Sequence, residues 1–125
     1  MRTASFTVGT VVVILALVVA GAALGHSSAA PKLNGTVGPA YTIKLTKSGQ
    51  KVKVVKAGSY LFVIADRSSI HNFTLERETG GKFEKHLTTT PFTGVKSVTI
   101  KLGKGKWKFY CSIHESLMHG FFTVS

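Results

Sequence analysis

The chain is 125 residues long, enough for one domain, and sixteen basic residues against five acidic ones give it a formal net charge of +11. Its single cysteine, Cys111, rules out an internal disulfide, and about 85 residues remain after the N-terminal segments, few for an enzyme with a deep pocket. The charge alone would suit a nucleic-acid binder, but no aromatic-rich base-stacking motif accompanies it, so nucleic acid is excluded as a partner.

At the N-terminus, Arg2 precedes an apolar run from Val8 through Leu24. Such a run fits the apolar region of an export signal, and it is nearly long enough to remain as an anchor. Residues 1–25 are therefore read as a signal peptide or N-terminal membrane anchor. The protein is expected to be exported: periplasmic, extracellular or anchored to the outer face of the cytoplasmic membrane. Small residues allow cleavage after Gly25 or after Ala29, and the first cut would leave the amine and imidazole of His26 free to chelate a metal. Residues 26–40, rich in Ser, Ala, Gly and Pro without an apolar period, read as a flexible linker. The folded domain is expected over residues 41–125.

From Tyr41 onward the pattern is one of short β-segments and turns, with no helical period. Residues 41–45 alternate, Ser48-Gly49 turns, and Val52 to Val55 follows. Ser59 to Asp66 is a nearly continuous apolar run, which predicts a strand buried on both faces. A loop over residues 66–69 leads to Ile70 and His71, and Phe73 to Arg77 is strand-like. Gly80-Gly81 marks a turn, residues 82–95 are the least regular stretch, and Val95 to Leu102 is strand-like, with Val98, Ile100 and Leu102 on one face. Gly103-Lys104-Gly105 predicts a hairpin turn into Lys106 to Cys111, and residues 120–124 close the sheet. About seven strands with turns at this spacing predict an all-β fold, a two-sheet Greek-key sandwich. Lys44, Lys47, Lys51, Lys53 and Lys56, with Lys101, Lys104, Lys106 and Lys108, fall at strand-compatible positions. They would protect sheet edges from aggregation, or steer the protein toward an acidic partner or an anionic cell surface.

The chemistry is concentrated in Phe109-Tyr110-Cys111-Ser112-Ile113-His114-Glu115-Ser116-Leu117-Met118-His119-Gly120. Cys111, His114 and Met118 offer a thiolate, an imidazole and a thioether, a soft donor set suited to copper and poorly suited to Mg²⁺ or Ca²⁺. His71, at the end of a predicted strand, is the candidate second imidazole. Taken singly, a cysteine or methionine is most often core filler. A free thiol in an exported protein, however, needs a reason. His86 lies in a polar stretch and reads as an exposed residue.

An isolated His-Asn after a strand, followed by Tyr-Cys-x-x-His with a Met before a final Gly and strand, resembles the cupredoxins, the small blue copper proteins of the plastocyanin, pseudoazurin and amicyanin group. The resemblance covers roughly Pro39 to Ser125. It implies a cupredoxin-like sandwich holding one copper ion, with His71, Cys111 and His114 in the plane and Met118 as axial ligand. It also implies that Asn72 ties the two ligand loops together, and that Phe73, Phe109 and Leu117 give the site an apolar shell. One departure stands out. Met118 lies four residues after His114, where plastocyanin and pseudoazurin have five and amicyanin three, and His119 occupies the plastocyanin spacing. With His119 as a strong ligand the site would resemble the red copper centre of nitrosocyanin, whose further glutamate ligand has no assignable counterpart here.

The function implied is that of a monomeric one-electron carrier cycling between Cu(I) and Cu(II), meeting a redox partner protein, an acidic one if the charge steers the encounter. A copper carrier or storage protein is the alternative, which two methionines and five histidines do not favour. The copper enzymes of related fold need His-x-His pairs and a second domain, and this chain has neither, so it is not expected to be an enzyme.

Overall fold

The computed structural model describes residues 9, 20–22, 25 and 28–125. The expected signal or anchor over residues 1–25 and the chelating position His26 lie for the most part outside the described residues. Among those described, no helix is long and apolar enough to cross a membrane.

Among the described residues, ten strands form two sheets. The first sheet takes β1 (Lys32–Val37), β2 (Ile43–Lys47), β3 (Gln50–Lys51), β5 (Gly58–Asp66) and β8 (Gly94–Leu102), in the order β3-β2-β1-β5-β8. The second takes β4 (Val54–Val55), β6 (Thr74–Arg77), β7 (Phe83–His86), β9 (Gly105–Tyr110) and β10 (His119–Val124), in the order β4-β10-β9-β6-β7. Most pairings are antiparallel, while β1 with β5 and β4 with β10 run parallel. The inner faces of the two sheets meet in a single core of Leu33, Leu45, Phe62, Ile64, Phe73, Leu75, Trp107 and Phe122 among others. The expected β-sandwich is therefore the observed architecture.

Four local expectations are corrected. The segment expected as a linker over residues 26–40 contains β1, a middle strand of the first sheet that pairs with β2 on one side and β5 on the other. Its alternation is hidden by small and polar residues. Leu33 and Val37 point inward, as does Gly35, where a Cβ would collide with the Ile64 and Phe73 side chains. The folded unit thus begins by Lys32, ahead of Tyr41. Second, β5 is buried on one face only: Tyr60, Phe62, Ile64 and Asp66 face the core, while Leu61, Val63 and Ala65 are half-buried on the other side. Third, Gly103-Lys104 makes no hairpin, since β8 and β9 belong to different sheets and the turn carries the chain across the sandwich. Fourth, the irregular stretch 82–95 contributes the edge strand β7. With the two-residue strand β3, β1 and β7 account for ten strands among the described residues where about seven were expected; β4 is what forms of the expected Val52 to Val55 segment.

The register of β5 with β8 runs unbroken through nine pairs, which brings Asp66 opposite Gly94 and Gly58 opposite Leu102. The sandwich therefore has two poles. One gathers the end of β5, the loop to His71, the end of β9 and the start of β10. At the other, β1 begins and β10 ends beside β4.

Candidate metal centre

Two loops from different parts of the chain meet at the first pole. The stretch between β5 and β6 delivers His71 and Asn72. The loop between β9 and β10 delivers Cys111, Ser112, His114 and Met118. The second loop is a tight structure of its own. The Cys111 N–H donates to the Met118 carbonyl at 3.0 Å, the His114 N–H to the Cys111 carbonyl at 3.2 Å, and the Met118 N–H to the His114 carbonyl at 2.9 Å. Its return strand passes Phe109 at Gly120, where a Cβ would run into the Phe109 ring. A residue with a side chain there would force the loop and the core apart.

Cys111 and His71 are fully buried and His114 is half-buried. The Nδ1 atoms of His71 and His114 each lie 3.9 Å from Cys111 Sγ, and they are 3.0 Å from one another. Two imidazole nitrogens so close are stable only with a proton or a cation between them, because two lone pairs repel. A point in the plane of the three atoms and about 2.0 Å from both nitrogens falls about 2.3 Å from the sulfur, which are the bond lengths a small d-block cation makes to imidazole and thiolate. These three are the only group of His, Cys, Asp or Glu donors among the described residues that converges in this way. Burial and the neighbouring His114 hold the His71 pKa below its ordinary 6.5, outweighing the opposite pull of the Ala40 carbonyl and of Asp66. His71 thus presents a neutral ring, as a metal ligand must.

Asn72 joins the two loops as expected. Its Oδ1 accepts from the Ser112 N–H and from Thr74 Oγ1, each at 3.0 Å, and its Nδ2 donates to Ser112 Oγ at 2.7 Å. Its backbone N–H points at Cys111 Sγ, 3.4 Å away, a donor that favours the thiolate. Phe73 and Phe109 stack beneath the site at 5.9 Å between centroids. Leu117, expected in the apolar shell, is instead 66% exposed. It follows a turn that points it outward while its neighbour Met118 is buried in the core. His119 is exposed and turned away from the three donors: its Nδ1 is 2.8 Å from the Glu115 carbonyl, and its ring packs edge-on against Phe121. His86 is exposed too, paired with Thr74.

One site residue escaped the sequence reading. The chain turns at Gly38, whose φ of 72° suits a residue without a side chain, and sets Tyr41 against both histidines. Tyr41 meets His71 at 5.3 Å and His114 at 5.0 Å between ring centroids, edge-on in each case. Its signal was an aromatic residue just past Gly38-Pro39-Ala40, and that signal pointed equally to a strand start.

No family model matches the chain, and no curated protein sequence does. Among solved structures it is similar to a copper protein, rusticyanin, at a TM-score of 0.53 with 14% identity over 75% of this chain and 76% of that one. Rusticyanin from Thiobacillus ferrooxidans superposes at a TM-score of 0.51, also at 14% identity, with the same coverage of both chains. Auracyanin A, a "blue" copper protein from the green thermophilic photosynthetic bacterium Chloroflexus aurantiacus, superposes at 0.53 with 15% identity over 78% of this chain and all of that one. The chain has the cupredoxin fold.

Proposed function

We propose that this cupredoxin-fold chain is an exported, monomeric type 1 copper protein that carries single electrons between partner proteins. The observation that carries the proposal is the buried triangle of His71 Nδ1, His114 Nδ1 and Cys111 Sγ, sized for one small cation. Bound copper would supply reversible exchange of one electron between Cu(I) and Cu(II), and a soft set of one thiolate and two imidazoles suits both states.

The chain's own residues do the rest. Two sheet ends fix His71 and Cys111, and the hydrogen-bonded loop fixes His114, so the donors cannot rearrange much between oxidation states. That rigidity lowers the cost of electron transfer. The Asn72 N–H withdraws charge from the thiolate sulfur, and the stacked Phe73 and Phe109 keep water from it. Buried at the end of this loop, Met118 would supply its thioether as a further, softer donor to the ion. His114, half-buried between the site and solvent, is the route by which the electron leaves. An enzymatic role is not part of the proposal, and burial of the donors argues against a carrier that hands the ion itself to others.

The test is the visible and EPR spectrum of the copper-loaded protein. A trigonal thiolate site gives intense visible absorption and a narrow copper hyperfine splitting, and Cys111→Ser should abolish the colour. Retention of the colour in that variant would overturn the assignment.

A further inference from the structure

The exposed carboxylates of this molecule are confined to one side, while basic residues occur on both. Of the five carboxylates in the chain, Asp66 is buried at 2% exposure. The other four belong to the second sheet and its loops. Glu76 and Glu84 are paired across β6 and β7, and Glu78 and Glu115 lie near enough to act on Glu76. Burial and these like-charged neighbours raise the Glu76 pKa, and Lys108 bonds to Glu115 among them.

The first sheet shows the opposite. Its registers place Lys51 beside Thr46 and Asn34, Lys44 beside Thr36, Lys32 beside Leu61, and Lys101 beside Ser59, all on the face turned away from the core. The four lysines are exposed. They are drawn from four of the five strands, and Ser97, Thr99, Thr46, Asn34 and Thr36 share the face with the half-buried Leu61, Val63 and Ala65 of β5 and the exposed Val95. No carboxylate lies on it. With strands about 4.8 Å apart, the cationic face is roughly 20 Å wide, several times wider than one ion pair and more than twice the screening length of about 8 Å at physiological salt.

We infer that this outer face of the first sheet rests on an anionic lipid bilayer, with Lys32, Lys44, Lys51 and Lys101 among the headgroups and the metal pole at the side, open to partners. The match is one of charge and shape. Lysines are strongly hydrated point charges without the fixed fork geometry that reads individual carboxylates, and a broad, evenly spaced set of them suits a diffuse sheet of charge. The chain itself holds an apolar run, Val8 to Leu24, seven residues ahead of Lys32 on this same face. Each lysine near such a surface strengthens attachment about fivefold. The four carboxylates outside the core, all on the side of the second sheet and repelled by the same surface, fix which side faces down.

The full chain, reconstituted into nanodiscs of phosphatidylcholine with or without phosphatidylglycerol, tests this by site-resolved acylation of lysines and peptide mass spectrometry. On anionic discs Lys32, Lys44, Lys51 and Lys101 should react about fivefold more slowly than on neutral discs, with Lys82 and Lys85 unchanged and the difference erased at high salt. In the variant K44Q/K51Q/K101Q, Lys32 should regain its neutral-disc reactivity. Equal reactivity on both discs, or protection centred on Lys82 and Lys85, would overturn the inference. So would equal protection of the four lysines by soluble polyglutamate, which would identify the face as a site for an acidic polypeptide.

Discussion

If copper occupies the donor triangle as proposed, Tyr41, with its ring against both imidazoles and about half of its surface in solvent, is the side chain an incoming chelator would have to displace. Tyr41→Ala should therefore release copper to a chelator about fivefold faster, the equivalent of an aromatic pair of ~1 kcal/mol. Tyr41→Phe, which keeps the ring, should release it at the parent rate. Asn72→Ala removes two hydrogen bonds between the loops and one to Thr74 but leaves the backbone donor to Cys111 Sγ in place. The expected result is a loss of about 1–3 kcal/mol in urea unfolding, because the Ser112 N–H loses its partner, with the colour of the copper form retained. His71 sets a pH dependence for the metal-free protein. Its folded pKa lies below 6.5, so at intermediate pH the unfolded chain binds the proton first. Stability should fall as pH drops below about 6.5 and level off beneath the folded value, and urea midpoints across that range would show it. His71, Asn72, Cys111 and His114 were legible in the sequence because their residue types and local spacing carry the chemistry. Tyr41 was not, since its contacts exist only once the turn at Gly38 folds the chain back over the pole, and Leu117 was misplaced because a turn, unlike a strand, does not alternate its faces.

Among the elements, the return from the ligand loop into β10 depends on Gly120 lying flat against Phe109. Gly120→Ala should cost about 1–3 kcal/mol through overpacking, and, unlike Asn72→Ala, it should disturb the visible spectrum, because Gly120 is two residues from Met118. The strands flanking the site were readable as alternating or apolar runs. The connections between them were less so: a Gly-Lys-Gly turn reads the same whether it closes a hairpin or crosses from one sheet to the other, and only the partner strands decide. The hidden strand β1 shows the same limit from the other side. Its inward positions are Leu33, Gly35 and Val37, and the middle one has no side chain to signal burial.

At the scale of the molecule, β1 makes the difference between a domain that starts at residue 41 and one that starts by residue 32. A chain truncated to begin at Tyr41 would lose the strand that joins β2 to β5, leaving β2 and β3 without a sheet and Leu33 and Val37 missing from the core. Such a truncation is expected to show no cooperative thermal transition, whereas the full chain should. The sandwich itself was legible from strand count and turn spacing. The confinement of the exposed carboxylates to one side was not, since it depends on which strands share a sheet.

β1 starts and β10 finishes at the pole remote from the donor triangle. The nine residues of β5, which span the sandwich, put roughly 25 Å between the two ends. Anything joined immediately ahead of β1 or immediately after β10, whether a fluorescent tag or a gold surface, would therefore hang behind the sandwich and leave the half-buried imidazole edge of His114 facing forward. Wired to an electrode through either of these strand ends, the sandwich would present the donor triangle to solution.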